Sequence, residues 1–404
     1  MVRFGERSLS SVDMGRRPRV PPLRDPVIRG YAVQALVVAV LAVVLYVGFS
    51  IAIENINQKH MRTDFGFLSE PAGFDINQTL IPFSSKAGST NLDAFWVGLL
   101  NTLLLSALGI VLATVIGFSV GIARLSGNWM VQRLATVYVE GLRNIPLLLQ
   151  LLFWYNVVLL PLPEVRQSIS IFGSVFLNKR GIRFPLPVFT QGAWLMLAAL
   201  AAAVVGAIAY RLYARDLQRR TGAQSPSGLV ALALVVGLPL LAYFAAGRPV
   251  QFDMPVLNKF NIAGGAPVTP EFFAMLLGLS LYTASFIAEV VRAGIQSVSH
   301  GQTEAAYALG LRPSRALDLI VVPQAMRVII PPLTSQYLNL TKNSSLSVFI
   351  GYADLFNVFS GSVREKSSAP LQVVAMTMLV YLTISLATSL LMNIYNSRNA
   401  LVER

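Results

Sequence analysis

The sequence predicts an all-α fold, a polytopic membrane helix bundle of about eight transmembrane helices. Apolar runs recur along the 404 residues, most of them near the roughly 20 needed to cross a bilayer. Only 13% of residues are charged while 54% are hydrophobic, where a soluble domain carries about a quarter charged. Lys and Arg gather in alternate connections between the runs, as they do in membrane proteins.

The net charge of +13 would suggest nucleic acid in a soluble protein. Here it follows from the basic inner loops, and no nucleic acid is expected. There is no cysteine, so no disulfide framework and no thiolate ligand. His60 and His300 stand too far apart in the chain to suggest a metal centre by themselves. No glycine-rich phosphate loop and no His-Glu-x-x-His motif occurs. An enzyme reading has little support. The basic, proline-bearing start lacks the pattern of a cleaved secretory signal.

In order, residues 1–30 form a basic tail. The first span is expected at 31–53, and a polar outer segment follows to 92. The second span covers about 93–123 and carries Gly117 and Gly121, a spacing that lets helices approach closely in lipid, although glycine is also simply common in membrane helices and that reading stands equally. A polar cluster at 138–150 precedes an apolar run to about 160. Residues 161–188 are mixed and lie outside. Spans four and five are expected at 189–213 and 228–247, with Arg211, Arg215, Arg219 and Arg220 between them. Span six covers about 270–293. Span seven covers about 325–345, bent or broken by Pro331 and Pro332. Span eight covers about 371–395.

Eight spans put both termini on one side. The proposed inner segments and helix ends hold 20 of the 32 Lys and Arg, the outer loops 11, and Lys342 lies at a span end. The bias places both termini in the cytoplasm.

The polar residues inside the spans are the candidate substrate path. Tyr282, Ser285 and Glu289 share one helix face, and Arg292 is placed to pair with Glu289. Ionisable groups in a membrane mark a pathway or a paired support, and both readings stand for Glu289. Asn101, Thr102, Ser106, Gln150 and Tyr155 are further candidates. So are Lys342, Asn343, Ser344 and Ser345. For each alone, hydrogen bonding between helices is the preferred reading over contact with substrate.

The stretch Glu304-Ala305-Ala306-Tyr307-Ala308-Leu309-Gly310 lies between two long apolar runs. Ser299 and Gln302 fit a capping box ahead of it. Gly310 is placed to end the helix in a left-handed turn, and Pro313 to open a second helix. A short apolar segment closes at Ile320-Val321-Val322-Pro323. The spacing of Glu304, Gly310, Ile320 and Pro323 resembles the cytoplasmic EAA loop of bacterial ABC importer permeases. That resemblance implies a type I importer permease with a coupling helix, in which Glu304, Ala305, Ala306 and Gly310 meet an ATPase subunit.

The segments Gly98–Leu104, Tyr138–Gln150, Tyr282–Gly294 and Lys342–Leu346 look like the polar and general amino-acid branch of that family. The chain adds a first span and about 110 residues between 161 and 270. In this it is similar to the Q-type permeases of the Aap/Bzt general L-amino acid importers. The resemblance divides the chain into the tail (1–30), the first span with its outer loop (31–92), a first core part (93–160), an insertion with two spans (161–270) and a second core part (271–404) carrying the loop at 297–323. It implies import of L-amino acids through the bacterial inner membrane by alternating access. The implied partners are a second homologous permease, two ATPase subunits holding Mg-ATP, a periplasmic amino-acid-binding protein and the lipid bilayer, with no cofactor in this chain. The alternatives are an ABC permease for another small polar solute and an ion-gradient-driven carrier.

Overall fold

A computed structural model of the chain describes residues 26–58, 62, 64–223, 225–258, 261–367 and 369–399. The chain divides into two units, Met1–Thr63 and Asp64–Arg404. In the first, helix α1 spans Pro26–Gln58. Its apolar residues, among them Leu36, Val40, Val44 and Phe49, are exposed within the unit, as befits a helix whose solvent is hydrocarbon. Most of the expected basic tail lies outside the described residues.

The second unit opens with a short irregular stretch and then α2 (Asn91–Ala123), which starts in a capping box. The Thr90 amide donates to Asp93 at 2.8 Å and the Asp93 amide returns a bond to the Thr90 hydroxyl at 3.3 Å, satisfying two otherwise orphaned donors. Helix α3 (Trp129–Asn144) follows, capped by Asn128. Then come α4 (Leu147–Leu152) and a wide turn over Phe153–Leu159. The third apolar run is therefore not a straight span: its two halves meet at 107°. Pro146 forces the break by pushing Ile145 into extended geometry (φ −97°, ψ 128°).

Helices α5 (Ala193–Thr221) and α6 (Ser227–Ala245) form a hairpin. Helix α7 (Pro270–Gln296) opens with a Thr269 cap and a proline in its first turn. The short helices α8 (His300–Ala308) and α9 (Pro313–Ala316) lead through a wide turn at Leu317–Val321 into α10 (Val322–Asn343). A tight turn at Ser344–Phe349, another wide stretch at Phe356–Val363 and the three residues of α11 (Arg364–Lys366) precede α12 (Pro370–Asn399). Among the described residues, seven helices are long and apolar enough to cross a membrane, or eight if the bent pair counts as one span.

Three local expectations are corrected. Ser299 sits at the N-cap of α8, but its side chain makes no capping bond. Pro323 does not close a segment; it lies at the start of α10, directly after the wide turn at Leu317–Val321, within a helical run that continues from 313 to 349. Pro331 and Pro332 lie inside α10 without interrupting it.

The inserted segment contains short strands that its composition did not announce. β1 (Ile169–Ile171), β2 (Val175–Asn178), β3 (Gly181–Phe184) and, further on, β8 (Ala266–Val268) form an antiparallel sheet in the order β1-β2-β3-β8. β4 (Leu186–Phe189) pairs with β5 (Val250–Asp253), and β6 (Val256–Leu257) with β7 (Ile262–Ala263). These pairs connect the ends of the α5–α6 hairpin to α4 on one side and α7 on the other.

The core lies where α2 and α7 cross. A Cβ on Gly117 would stand 2.6 Å from the Ile287 side chain, and one on Gly121 would stand 2.8 Å from the Ala288 carbonyl oxygen. The two glycines therefore seat α7 against the backbone of α2. Leu105, Met275, Leu279, Ile287, Ile329 and Leu340 fill the surrounding space at 2% exposure or less.

Candidate functional site

Three polar assemblies surround this core. The first is in the N-terminal halves of α2 and α7. Asn101 and Thr102 are fully buried on α2. The Asn101 amide donates to the carbonyls of Gln78 (2.9 Å) and Ala353 (2.8 Å), and Tyr352 donates its hydroxyl to the Asn101 carbonyl at 3.0 Å. The Leu355 amide donates to the Thr102 hydroxyl at 3.0 Å. Both side chains thus hold the backbone at 352–355 against α2.

The residue so held is Asp354, which is 0% exposed. It accepts from the Ser347 hydroxyl (2.5 Å), the Asn357 amide (2.8 Å) and the Tyr381 hydroxyl (2.9 Å). Burial pushes its carboxyl up to about 6, and those donors oppose the shift. Ser344 reaches the same Tyr381 hydroxyl at 3.4 Å. Sequence reasoning did not single out Asp354. The available signal was a lone acid in an otherwise apolar stretch of a membrane protein.

Two cavities flank this knot. One, of about 200 Å³, is lined by Asp75, Gln78, Glu271, Tyr352 and Asn357 among others. The other, of about 740 Å³, lies between α10, the 356–363 stretch and α12. Its polar lining includes Lys342, Ser345, Arg364, Glu365 and Tyr381. Asn343 is half-buried beside this second cavity in sequence and makes no side-chain hydrogen bond among the described residues.

The second assembly is an ion cluster on α7. Glu289 pairs with Arg292 at 2.5 Å, with Arg124 at the end of α2, and at 3.9 Å with Arg143 near the end of α3. Arg143 also lies over the Phe286 ring at 5.1 Å. One carboxylate therefore ties three helices together, seven residues, or roughly 10 Å, from the end of α7. The sequence suggested Arg292 as a partner; Arg124 and Arg143 come from other helices and were not foreseen. Ser285, fully buried, donates to the Tyr282 carbonyl at 2.6 Å, and the Tyr282 ring packs on Phe286. Gln150 stands apart at the α3–α4 break. Its amide donates to the carbonyls of Leu142 (2.8 Å) and Ile145 (2.9 Å), which the bend would otherwise leave unpaired.

The third assembly is the helix α8 and its turn. Ala306 is buried at 1% exposure, while Glu304 and Ala305 are exposed. Gly310 has φ +76°. The Leu311 amide donates to Ala306 and the Gly310 amide to Tyr307, at 3.1 and 2.9 Å, the paired closure of a Schellman motif. The turn projects Leu309 at 81% and Tyr307 at 49% exposure. Gln324 of α10 donates to Gln302 at 3.4 Å, tethering α8 from one side. Among the described residues no group of three metal-ligating side chains comes together.

A membrane bundle with a small, exposed, apolar-tipped helix between two of its spans is the framework of a transport permease. Residues 109–400 match the family described as "Binding-protein-dependent transport system inner membrane component", and this chain belongs to that family. It is 49% identical over 381 residues to the general L-amino acid transport system permease protein AapQ of Rhizobium johnstonii, covering 94% of each chain. It is 40% identical to the glutamate/glutamine/aspartate/asparagine transport system permease protein BztB of Rhodobacter capsulatus, covering 87% of this chain and 88% of that one. The resemblance to Aap/Bzt Q-type permeases drawn from the motifs agrees with both.

Proposed function

We propose that this permease imports L-amino acids, driven by ATP hydrolysed on separate subunits. The likeness over nearly its whole length to AapQ, including the inserted segment, is the observation that carries the reading. The chain would pair with a second, related permease and receive its substrate from a periplasmic binding protein. Two ATPase subunits holding Mg-ATP would dock on the cytoplasmic side. Both termini would lie in the cytoplasm of a bacterial inner membrane, as the distribution of Lys and Arg supports.

The roles of the polar residues follow from their bonding. Exposed Glu304 and Ala305, with the projecting Leu309, offer a contact surface on a helix anchored by Ala306 and stopped by Gly310. This is the surface expected to meet the ATPase. Glu289 lies in the cluster that joins α2, α3 and α7, and so is suited to carry motion from that end of the bundle. Asn101, Thr102, Gln150 and Ser285 are occupied in holding backbone. The candidates left for contact with the amino acid are Lys342, Ser345 and Tyr381 at the large cavity, with Asn343 and Ser344 next to them in the chain and Tyr282 on α7. A carboxylate and an ammonium on the substrate would complement Lys342 and Arg364 on one hand and Glu365 on the other.

In alternating access the bundle has two packings, and ATP changes which one is favoured. The permease makes and breaks no covalent bond in the substrate. The test is uptake of radiolabelled L-glutamate or L-leucine into proteoliposomes holding the complete complex, with its binding protein supplied outside. The reading expects uptake that requires internal ATP. Uptake by this chain alone, set by a proton or sodium gradient, would favour a carrier instead.

A further inference from the structure

The α5–α6 hairpin serves none of the assemblies described above, yet it carries a groove of its own. The two helices pack closely through Ala203, Ala207, Ala214 and Ala231, all buried. At one end the Tyr210 hydroxyl and the Ser225 hydroxyl share a hydrogen bond of 2.7 Å, which fixes the connecting turn against α5. Along the hairpin runs an open groove of about 500 Å³. Val204, Ala207 and Ile208 line it from α5, and Leu232 and Val235 from α6. Arg211 is the one charged residue in that lining.

The sequence spacing makes the groove continuous with a basic stripe. Positions 204, 208, 211, 215 and 219 are three or four apart, so they follow one face of α5. The first two are apolar and the last three are arginines. Asp216, the acid in this stretch, pairs with Arg220 at 2.9 Å. Arg211, Arg215 and Arg219 have no acidic partner among the described residues. Arginines at a span end commonly reach into the headgroup region with nothing specific bound. That arrangement explains Arg215 and Arg219. Arg211 differs from them in also lining the groove, whose other lining residues are apolar or glycine.

We propose that this groove binds an anionic glycerophospholipid. One acyl chain lies between α5 and α6, and the phosphate sits on Arg211, with Arg215 and Arg219 next to it along the stripe. Three guanidiniums and no free carboxylate favour a headgroup with net negative charge over a zwitterionic one, because the ammonium of the latter would face the same arginines. The lipid would fix the depth of the hairpin in the membrane.

Native mass spectrometry of the full-length protein, purified with whatever subunits accompany it in mild detergent, tests this. Phosphatidylglycerol and phosphatidylethanolamine of matched acyl chains are added in turn. The native chain should retain phosphatidylglycerol at least about tenfold more. Arg211→Gln combined with Arg215→Gln should bring retention down to the phosphatidylethanolamine level. Ala207→Phe, which fills the groove floor, should lower retention of either lipid. Equal retention of the two lipids by the native chain would overturn the proposal, and that comparison needs no variant to fold. Undiminished phosphatidylglycerol on the folded double variant would overturn it as well.

Discussion

The Tyr381 hydroxyl of α12 donates to the Asp354 carboxyl at 2.9 Å, joining the last span to the turn that Asn101 and Thr102 hold against α2. Asp354 is fully buried and its carboxyl is raised to about 6 from an ordinary 3.8. Folding therefore favours its protonated form. Between these two values the native state binds more protons than the unfolded one, so stability falls as pH rises from about 4 to about 6 and is flat beyond. Thermal unfolding in detergent should show that slope in the native chain. Asp354→Asn should flatten it, by up to roughly 3 kcal/mol across the window. An unchanged slope in the variant would assign the titration elsewhere.

The α2–α7 contact depends on the absence of side chains at two positions. Gly117→Val and Gly121→Val should each destabilise the protein by about 1–3 kcal/mol or more, because the new atoms meet Ile287 and the Ala288 carbonyl. A methyl added at Gly141 on α3 would have nothing within 4 Å, so Gly141→Ala should be neutral or slightly stabilising. Melting temperature in a fixed detergent separates the two cases.

Removing Glu289 leaves Arg124, Arg143 and Arg292 facing one another. Glu289→Gln should cost about 1–3 kcal/mol, a range that allows for the cluster's partial exposure. Arg143→Gln should cost less, since its 3.9 Å contact is the longest and Arg143 the most exposed of the three arginines. A double-mutant cycle between Glu289 and Arg124 should give a coupling well above that between Glu289 and Arg143.

Gly310 has a left-handed backbone that a side chain adopts at a cost of roughly 1–2 kcal/mol. Gly310→Leu should therefore loosen the end of α8 while leaving the spans inserted. Uptake should fall several-fold while ATP hydrolysis by the assembled complex persists. Normal uptake would count against α8 as the coupling element.

Much of this architecture was legible because its signals are local. A run of apolar residues marks a span by itself, and Gly310 and Pro313 mark a helix end and a helix start within four residues of one another. The 107° break falls inside the polar cluster noted at 138–150, but its supporting bonds from Gln150 were not legible, because they depend on which carbonyls the bend strands. The strands at 169–189 and 250–268 are two to four residues long, too short for a periodic pattern to form. The Arg124–Glu289 pair and the Tyr381–Asp354 bond were hidden for another reason. Their members lie on different elements, 165 and 27 residues apart, and a spacing rule sees only neighbours on the same helix.

The chain contains no cysteine, so Leu309→Cys creates a single thiol at the exposed tip of the turn after α8. Cross-linking from that thiol in native membranes, followed by mass spectrometry of the product, tests the central claim most directly. The account predicts a product joining this chain to an ATP-hydrolysing subunit, absent when the cysteine is placed instead at Leu386 on α12. Cross-linking at 309 that never captures an ATPase, in membranes that still take up amino acids, would contradict it.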